Sequence, residues 1–152
     1  MSRGYFGIGI ENTKNAMNVG TLWRSANILG ASFIFTIGRR YKRQSSDTLE
    51  TWRHIPLFTL DSFEEFYKFA LPYDCRLVGI EMEERATPIK EYKHHQRAVY
   101  LLGSEDNGLS KNAIDTCHDL IVLPGKFSLN VAVAGSLVMF DRINKSTPQE
   151  DK

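Results

Sequence analysis

Three short stretches of this sequence set polar side chains where an apolar strand gives way to a helix, the junction at which open α/β sheets receive their ligands. The first is Asn15-Ala16-Met17-Asn18-Val19-Gly20-Thr21-Leu22-Trp23-Arg24. Asn18 and Arg24 are six residues apart, so on one helix they point along rather different azimuths, and a shared site requires the preceding loop to curl over the helix. Taken alone, Arg24 reads as a solvated helix cation. The second stretch is Leu101-Leu102-Gly103-Ser104-Glu105-Asp106-Asn107-Gly108-Leu109-Ser110. Here Gly103 allows close approach of a ligand and Glu105 can accept hydrogen bonds or a proton, while Asp106-Asn107-Gly108 is equally well an ordinary turn. The third is Ile121-Val122-Leu123-Pro124-Gly125-Lys126-Phe127-Ser128-Leu129-Asn130-Val131. It places a hydroxyl and an amide at the start of a helix, and N-capping accounts for Ser128 or Asn130 but scarcely for both.

A fourth feature is a basic run, Arg39-Arg40-Tyr41-Lys42-Arg43, in a long loop that also holds Trp52, Arg53 and His54. A solvated loop is the ordinary explanation for such a run. In a chain with 19 Lys and Arg against 18 Asp and Glu, net charge +1, so concentrated a patch with an aromatic among its cations also suits phosphate contact and base stacking on RNA.

Other chemistries lack their residues. There is no G-x-x-x-x-G-K-[ST] phosphate loop, and Gly7-Ile8-Gly9 has neither the third glycine nor the following helix of a dinucleotide fingerprint. His94, His95 and His118 have no Cys or carboxylate at zinc-ligand spacing, so no metal is expected. Ser104 follows Gly103 outside any G-x-S-x-G elbow, which leaves a hydrolase triad unsupported.

The elements that must carry these stretches follow from periodicity. Tyr5 to Ile10 reads as a buried strand whose Gly7 and Gly9 admit another backbone. Asn15 or Asn18 can cap a helix through Leu22, Ala26 and Leu29 that Gly30 ends. Phe33 to Ile37 is a second strand, followed by a loop from Arg39 to Leu57. Asp61 and Glu64 start a helix that Pro72 ends. Strands are expected at 76–80, 98–102 and 120–123, a short Ser110-capped helix reaching Thr116, and a last helix over Leu129–Ile143. Alternation of strands and helices at this spacing specifies an α/β fold with a mostly parallel sheet. The last helix is apolar nearly all round, which in so small a domain points to a subunit interface.

At 152 residues with 42 % apolar and 24 % charged side chains, the chain suits one domain, 1–143, with a polar, frayed tail at 144–152. No run of 18 apolar residues and no apolar leader is present, so neither a membrane span nor export is expected. Two cysteines, Cys75 and Cys117, fit reduced thiols in a cytosolic protein.

Together the three stretches resemble the SpoU (TrmH-type) branch of the SPOUT RNA ribose methyltransferases. Its first motif, N-x-G-x-x-x-R with an apolar helix and a glycine, is met by Asn18, Gly20, Arg24 and Gly30; its second, L-G-S-E-x-x-G-L, by Leu102 to Leu109; its third, I-x-[IL]-P then S-L-N-V-x-x-A, by Ile121 to Pro124 and Ser128 to Ala134. The resemblance implies a sheet flanked by helices with a C-terminal deep trefoil knot, a bent S-adenosylmethionine and an obligate homodimer. Knots are nearly absent among folds, so patterning alone would not propose one. By position, Gly103, Leu123, Ser128 and Leu129 would line the cofactor pocket. Asn18, Arg24, Glu105, Ser128 and Asn130 match the active-site positions, and Arg39, Arg40, Lys42 and Arg43 would contact RNA. Two departures stand out: Gly125 replaces a common Met, and the segment from Pro124 to Ser128 is short.

A ribose 2′-hydroxyl is a poor nucleophile facing a strong electrophile, so the protein must align the two and disperse or remove a proton. The resemblance makes Arg24 the group for this, as base or by electrostatics, with no metal. Transfer RNA is the favoured substrate because relatives acting on ribosomal RNA often carry an extra N-terminal domain. The alternatives are an rRNA substrate, or a non-catalytic RNA-binding factor that keeps the pocket.

Overall fold

The computed structural model describes residues 4–38, 54–126 and 128–146. Its strands are β1 (Tyr5–Glu11), β2 (Phe33–Ile37), β3 (Leu57–Leu60), β4 (Arg76–Ile80), β5 (Thr87–Pro88), β6 (Arg97–Leu102) and β7 (Asp119–Val122). The helices are α1 (Ala16–Leu29), α2 (Phe63–Glu65, continued by a π turn over Phe66–Ala70), α3 (Lys111–Thr116) and α4 (Val131–Ser146). All strand pairs are parallel, in the order β3-β2-β1-β6-β4-β7-β5. The α/β reading is therefore met. No helix of the described residues is long and apolar enough to cross a membrane.

Both faces of the sheet are covered, as a parallel sheet requires. On one face Ile8, Ile10, Tyr100 and Leu102 pack with Leu22, Trp23 and Ala26 of α1 and with Val138 and Met139 of α4. On the other, Phe33, Phe35, Val99 and Leu101 pack with Phe66 and Ala113. Gly7 and Gly9 make room for side chains rather than for the expected backbone: a Cβ at either would lie 2.2–2.5 Å from the rings of Phe33 or Phe35. Phe35 in turn stacks on Phe66 at 4.6 Å.

Two strands escape the patterning, each for a physical reason. β3 is an edge strand whose residues are half-buried or exposed throughout, so it shows no alternation. β5 is two residues long and contains Pro88, tolerable only at an edge. The α1 cap is Asn15, whose Oδ1 accepts from the Met17 and Asn18 amides, and Gly30 closes the helix at φ 93°. The cap of α2 is Ser62 rather than Asp61, with Glu65 Oε1 accepting from the Asp61 amide in return. Helix α4 begins at Val131 because the Asn130 side chain caps it, and it runs to Ser146 instead of stopping at Ile143. Its last turn is held by Lys145, which bonds the Ile89 and Tyr92 carbonyls and pairs with Asp141.

At the N-terminal end of the sheet, buried Arg142 donates to the His95 and Gln96 carbonyls and to the Tyr100 hydroxyl. His94 lies between that hydroxyl (2.7 Å) and Asp141 (2.8 Å). Burial lowers the His94 pKa below the usual 6.5; Asp141 opposes this, and Arg142 and Lys145 add to it. The unfolded chain then takes up a proton that the native state refuses, so stability is complete above pH 6.5 and is lost as pH falls below it. The melting temperature is expected to drop from about pH 7.5 to about 5.5, and His94→Gln should flatten that slope in a thermal melt; an unchanged slope would contradict the assignment.

Candidate active site

The three motif stretches converge at the C-terminal ends of β1, β4, β6 and β7. After β6 the chain makes a tight turn in which Ser104 and Gly108 exchange backbone hydrogen bonds (3.2 and 3.1 Å). Ser104 Oγ accepts from the Asn107 amide and donates to Asp106, and Gly108 has φ +70°. Asp106, Asn107 and Gly108 thus do form the ordinary turn, and Glu105 alone of this acidic pair reaches the amide cluster. Gly103 is compelled by the turn folding back on it: a Cβ there would lie 2.2 Å from Gly108 C and 2.3 Å from Leu109 N.

Two further carboxylates pin the loop. Glu81, after β4, accepts from the Leu109 amide at 2.8 Å, and buried Glu11, ending β1, accepts from both the amide (2.8 Å) and the hydroxyl (2.7 Å) of Ser110. Glu105 points the other way. Its Oε2 accepts from Thr13 Oγ1 and from Asn18 Nδ2, both at 2.7 Å, and Asn18 Oδ1 accepts from Asn130 Nδ2 at 3.1 Å. Partial burial raises the Glu105 pKa, but the bonds from Thr13, Asn18 and two backbone amides outweigh it and hold the carboxyl below the usual glutamate value.

Beside this cluster lies an open cleft of about 580 Å³, counted to its mouth. Ile80, Leu102, Leu123, Val131 and Ala134 form apolar walls, Gly103 lines it, and Ser104, Ser128, Leu129 and Met82 stand around it. Ser128 Oγ sits 3.8 Å from Met82 Sδ, apart from the Asn18–Asn130 pair. Apolar walls with hydroxyls and loop backbone around them suit a ligand that joins an apolar ring to polar groups, as a nucleoside-bearing cofactor does. Among the described residues no group of three or more His, Cys, Asp or Glu could hold a metal.

Of the residues singled out from the sequence, the structure brings Asn18, Glu105 and Asn130 into one network and Gly103, Leu123, Ser128 and Leu129 around one cleft. Arg24 stands apart from both. It is exposed on α1, and among the described residues no hydrogen bond or ion pair reaches it within the chain. Arg39, Arg40, Lys42 and Arg43 lie outside the described residues. Thr13, Glu11, Glu81 and Met82 went unnoticed in the sequence. A Thr in a polar turn and carboxylates at strand ends carry no periodicity, and only the meeting of three loops reveals them.

The family model described as the SpoU rRNA Methylase family matches residues 6–140. The chain is 21 % identical over 132 residues to the mouse tRNA (guanosine(18)-2′-O)-methyltransferase TARBP1, an alignment covering 82 % of this chain and 8 % of that protein. It is 30 % identical over 69 residues to the 23S rRNA (guanosine-2′-O-)-methyltransferase RlmB of Acinetobacter baylyi, covering 43 % of this chain and 28 % of that one. The chain therefore spans under a third of either relative. Among solved structures, the SpoU methyltransferase AviRb from Streptomyces viridochromogenes in complex with S-adenosylmethionine superposes with TM-score 0.83 at 20 % identity, over 95 % of this chain and 58 % of that one. A likeness at that identity establishes the fold.

Proposed function

Since the chain belongs to the SpoU rRNA methylase family, we propose that it is an S-adenosylmethionine-dependent RNA methyltransferase acting on a ribose 2′-hydroxyl. The observation that carries the reading is the Thr13–Glu105–Asn18–Asn130 network beside a cleft with apolar walls at the C-terminal strand ends. Bound in the cleft, S-adenosylmethionine would supply an electrophilic sulfonium methyl. Leu123, Leu129 and the loop around Gly103 would hold it, with Ser128 at the rim. Asn130 uses one amide hydrogen on Asn18 and keeps a second to donate, which suits it to orient a ribose. Arg24 would supply the positive charge: a guanidinium spans a phosphate and a hydroxyl, and stabilises charge developing on the attacking oxygen.

A homodimer belongs to the same reading and explains where Arg24 stands. Met17, Thr21, Arg24 and Ile28 share the outer face of α1, and Val133, Leu137 and Phe140 that of α4. These helices pack side by side on one sheet face. Met17 is 78 % exposed, Ile28 70 % and Phe140 57 %, and a Cβ on Gly20 of the same helix would meet nothing within 4 Å. A mid-helix glycine costs about 0.5–1 kcal/mol relative to Ala, and a close neighbour outside the chain would account for this one. A partner copy on this face would bring Arg24 into an interface. Phe140→Glu and Leu137→Glu are expected to give folded monomers by light scattering, whereas Val138, fully buried in the chain's own core, is no probe of association. Dimers persisting in both variants would remove this face from consideration.

The trefoil threading is a further part of the proposal. Its support is that β7 pairs with β4 on one side and β5 on the other, so a single segment, 76–88, brackets the strand from which the chain runs on to α4. Transfer RNA is the favoured substrate, supported by the tRNA enzyme that aligns over 82 % of the chain. The test is transfer of labelled methyl from S-adenosylmethionine to unmodified tRNA and rRNA transcripts in parallel. Ribose-linked label supports the reading, and binding of RNA and cofactor with no label on either transcript overturns it.

A further inference from the structure

We propose that Thr13 is a positioning residue for methyl transfer: by holding Glu105 it fixes the Asn18 end of the Asn18–Asn130 amide pair that faces the substrate. The inference rests on the methyltransferase reading above and adds to it a residue outside the three motifs.

Asn130 Oδ1 accepts from the amides of Ala132 (2.9 Å) and Val133 (3.2 Å) at the start of α4. Its other terminal atom is therefore the NH₂, which donates to Asn18 Oδ1. Asn18 must then turn its own NH₂ to Glu105, so Glu105 Oε2 is an acceptor, as an ionised carboxylate is. Every donor and acceptor in the chain runs in one direction, and reversing either amide would set two donors or two acceptors face to face. The helix amides fix that direction at one end of the run and the Glu105 carboxylate fixes it at the other.

Thr13 holds this carboxylate. Its side chain is buried with the residue 1 % exposed, its hydroxyl donates to Oε2 at 2.7 Å, and it accepts the Asn15 amide at 3.3 Å. One hydroxyl thus couples the capping turn of α1 to the loop after β6. The other charged groups around Glu105 are occupied elsewhere. Lys14 pairs with Asp106 at 3.4 Å, while Glu11 and Glu81 are bound to Ser110 and Leu109. No ammonium or guanidinium of the described residues substitutes for the hydroxyl at Glu105 Oε2.

Thr13→Val keeps the shape and deletes the bond; Thr13→Ser keeps the bond. With unmodified tRNA and rRNA transcripts, Thr13→Val is expected to lower kcat about tenfold, the usual worth of one hydrogen bond to a charged group. S-adenosylmethionine affinity should stay unchanged, and Thr13→Ser should restore the rate. Carbon-13 NMR of the Glu105 carboxyl should show its titration midpoint raised in the Val variant and returned in Ser, which a merely structural role would not produce. An unmoved midpoint in Thr13→Val, or failure of Ser to rescue, overturns the proposal. If the wild-type chain transfers no methyl at all, the methyltransferase reading falls by itself, and the NMR titration still decides whether Thr13 governs the network.

Discussion

Gly103→Ala is expected to lower affinity for S-adenosylmethionine about a hundredfold, or ~2.7 kcal/mol, in titration calorimetry. The added methyl would stand 2.2–2.6 Å from the backbone of Gly108 and Leu109, and a backbone cannot rotate aside as a side chain can. Nor is the turn free to retreat, because Glu81 grips the Leu109 amide and Glu11 grips Ser110 twice. The strain, about 1–3 kcal/mol for an overpacked site, is relieved only by moving the loop that walls the cleft and carries Glu105. Wild-type affinity in Gly103→Ala would show that the loop yields and that its position does not define the pocket.

Arg24→Ala is expected to leave cofactor affinity and the dimer intact while methyl transfer to RNA falls by about 10² or more, the scale of losing one positioned transition-state group. The prediction separates an enzyme from a binding factor. Among the described residues Arg24 has no bonding partner: it is exposed, and none of them bonds or pairs with it. A fall in rate with melting temperature and dimer mass unchanged then points to its action on the substrate complex. Arg24→Lys should not rescue, because an ammonium is a point charge without the planar fork that spans two oxygens. Arg24→Ala with wild-type turnover would place the activating charge elsewhere.

How much of this was legible beforehand depended on whether the cause was local. Strands β2 and β4 were readable to the residue from apolar runs bounded by turn residues. The Gly30 and Ser110 caps were readable too, because a cap is a property of a few neighbouring residues. β3 and β5 were not: an exposed edge strand and a two-residue strand acquire their identity from the neighbour they pair with. Gly7 and Gly9 were recognised as sites of close approach, but that phenyl rings from β2 fill the space could be known only from the register that sets Gly7 opposite Phe33 and Gly9 opposite Phe35.

The same division runs through the site. Composition and spacing by themselves determined that Asn18, Gly103, Glu105, Ser128 and Asn130 stand at strand-to-helix junctions, since alternation and caps specify where strands end. The tertiary structure decided which of them meet. It joined Asn18 to Asn130 across 112 positions and to Glu105 across 87, left Ser128 against Met82, turned Arg24 outward, and added Thr13, Glu11 and Glu81. Periodicity reports the face on which a side chain lies, over a few residues at most. A hydrogen bond between loops depends on strand order, and the order β1-β6-β4-β7 that brings these loops together is a property of the packed sheet.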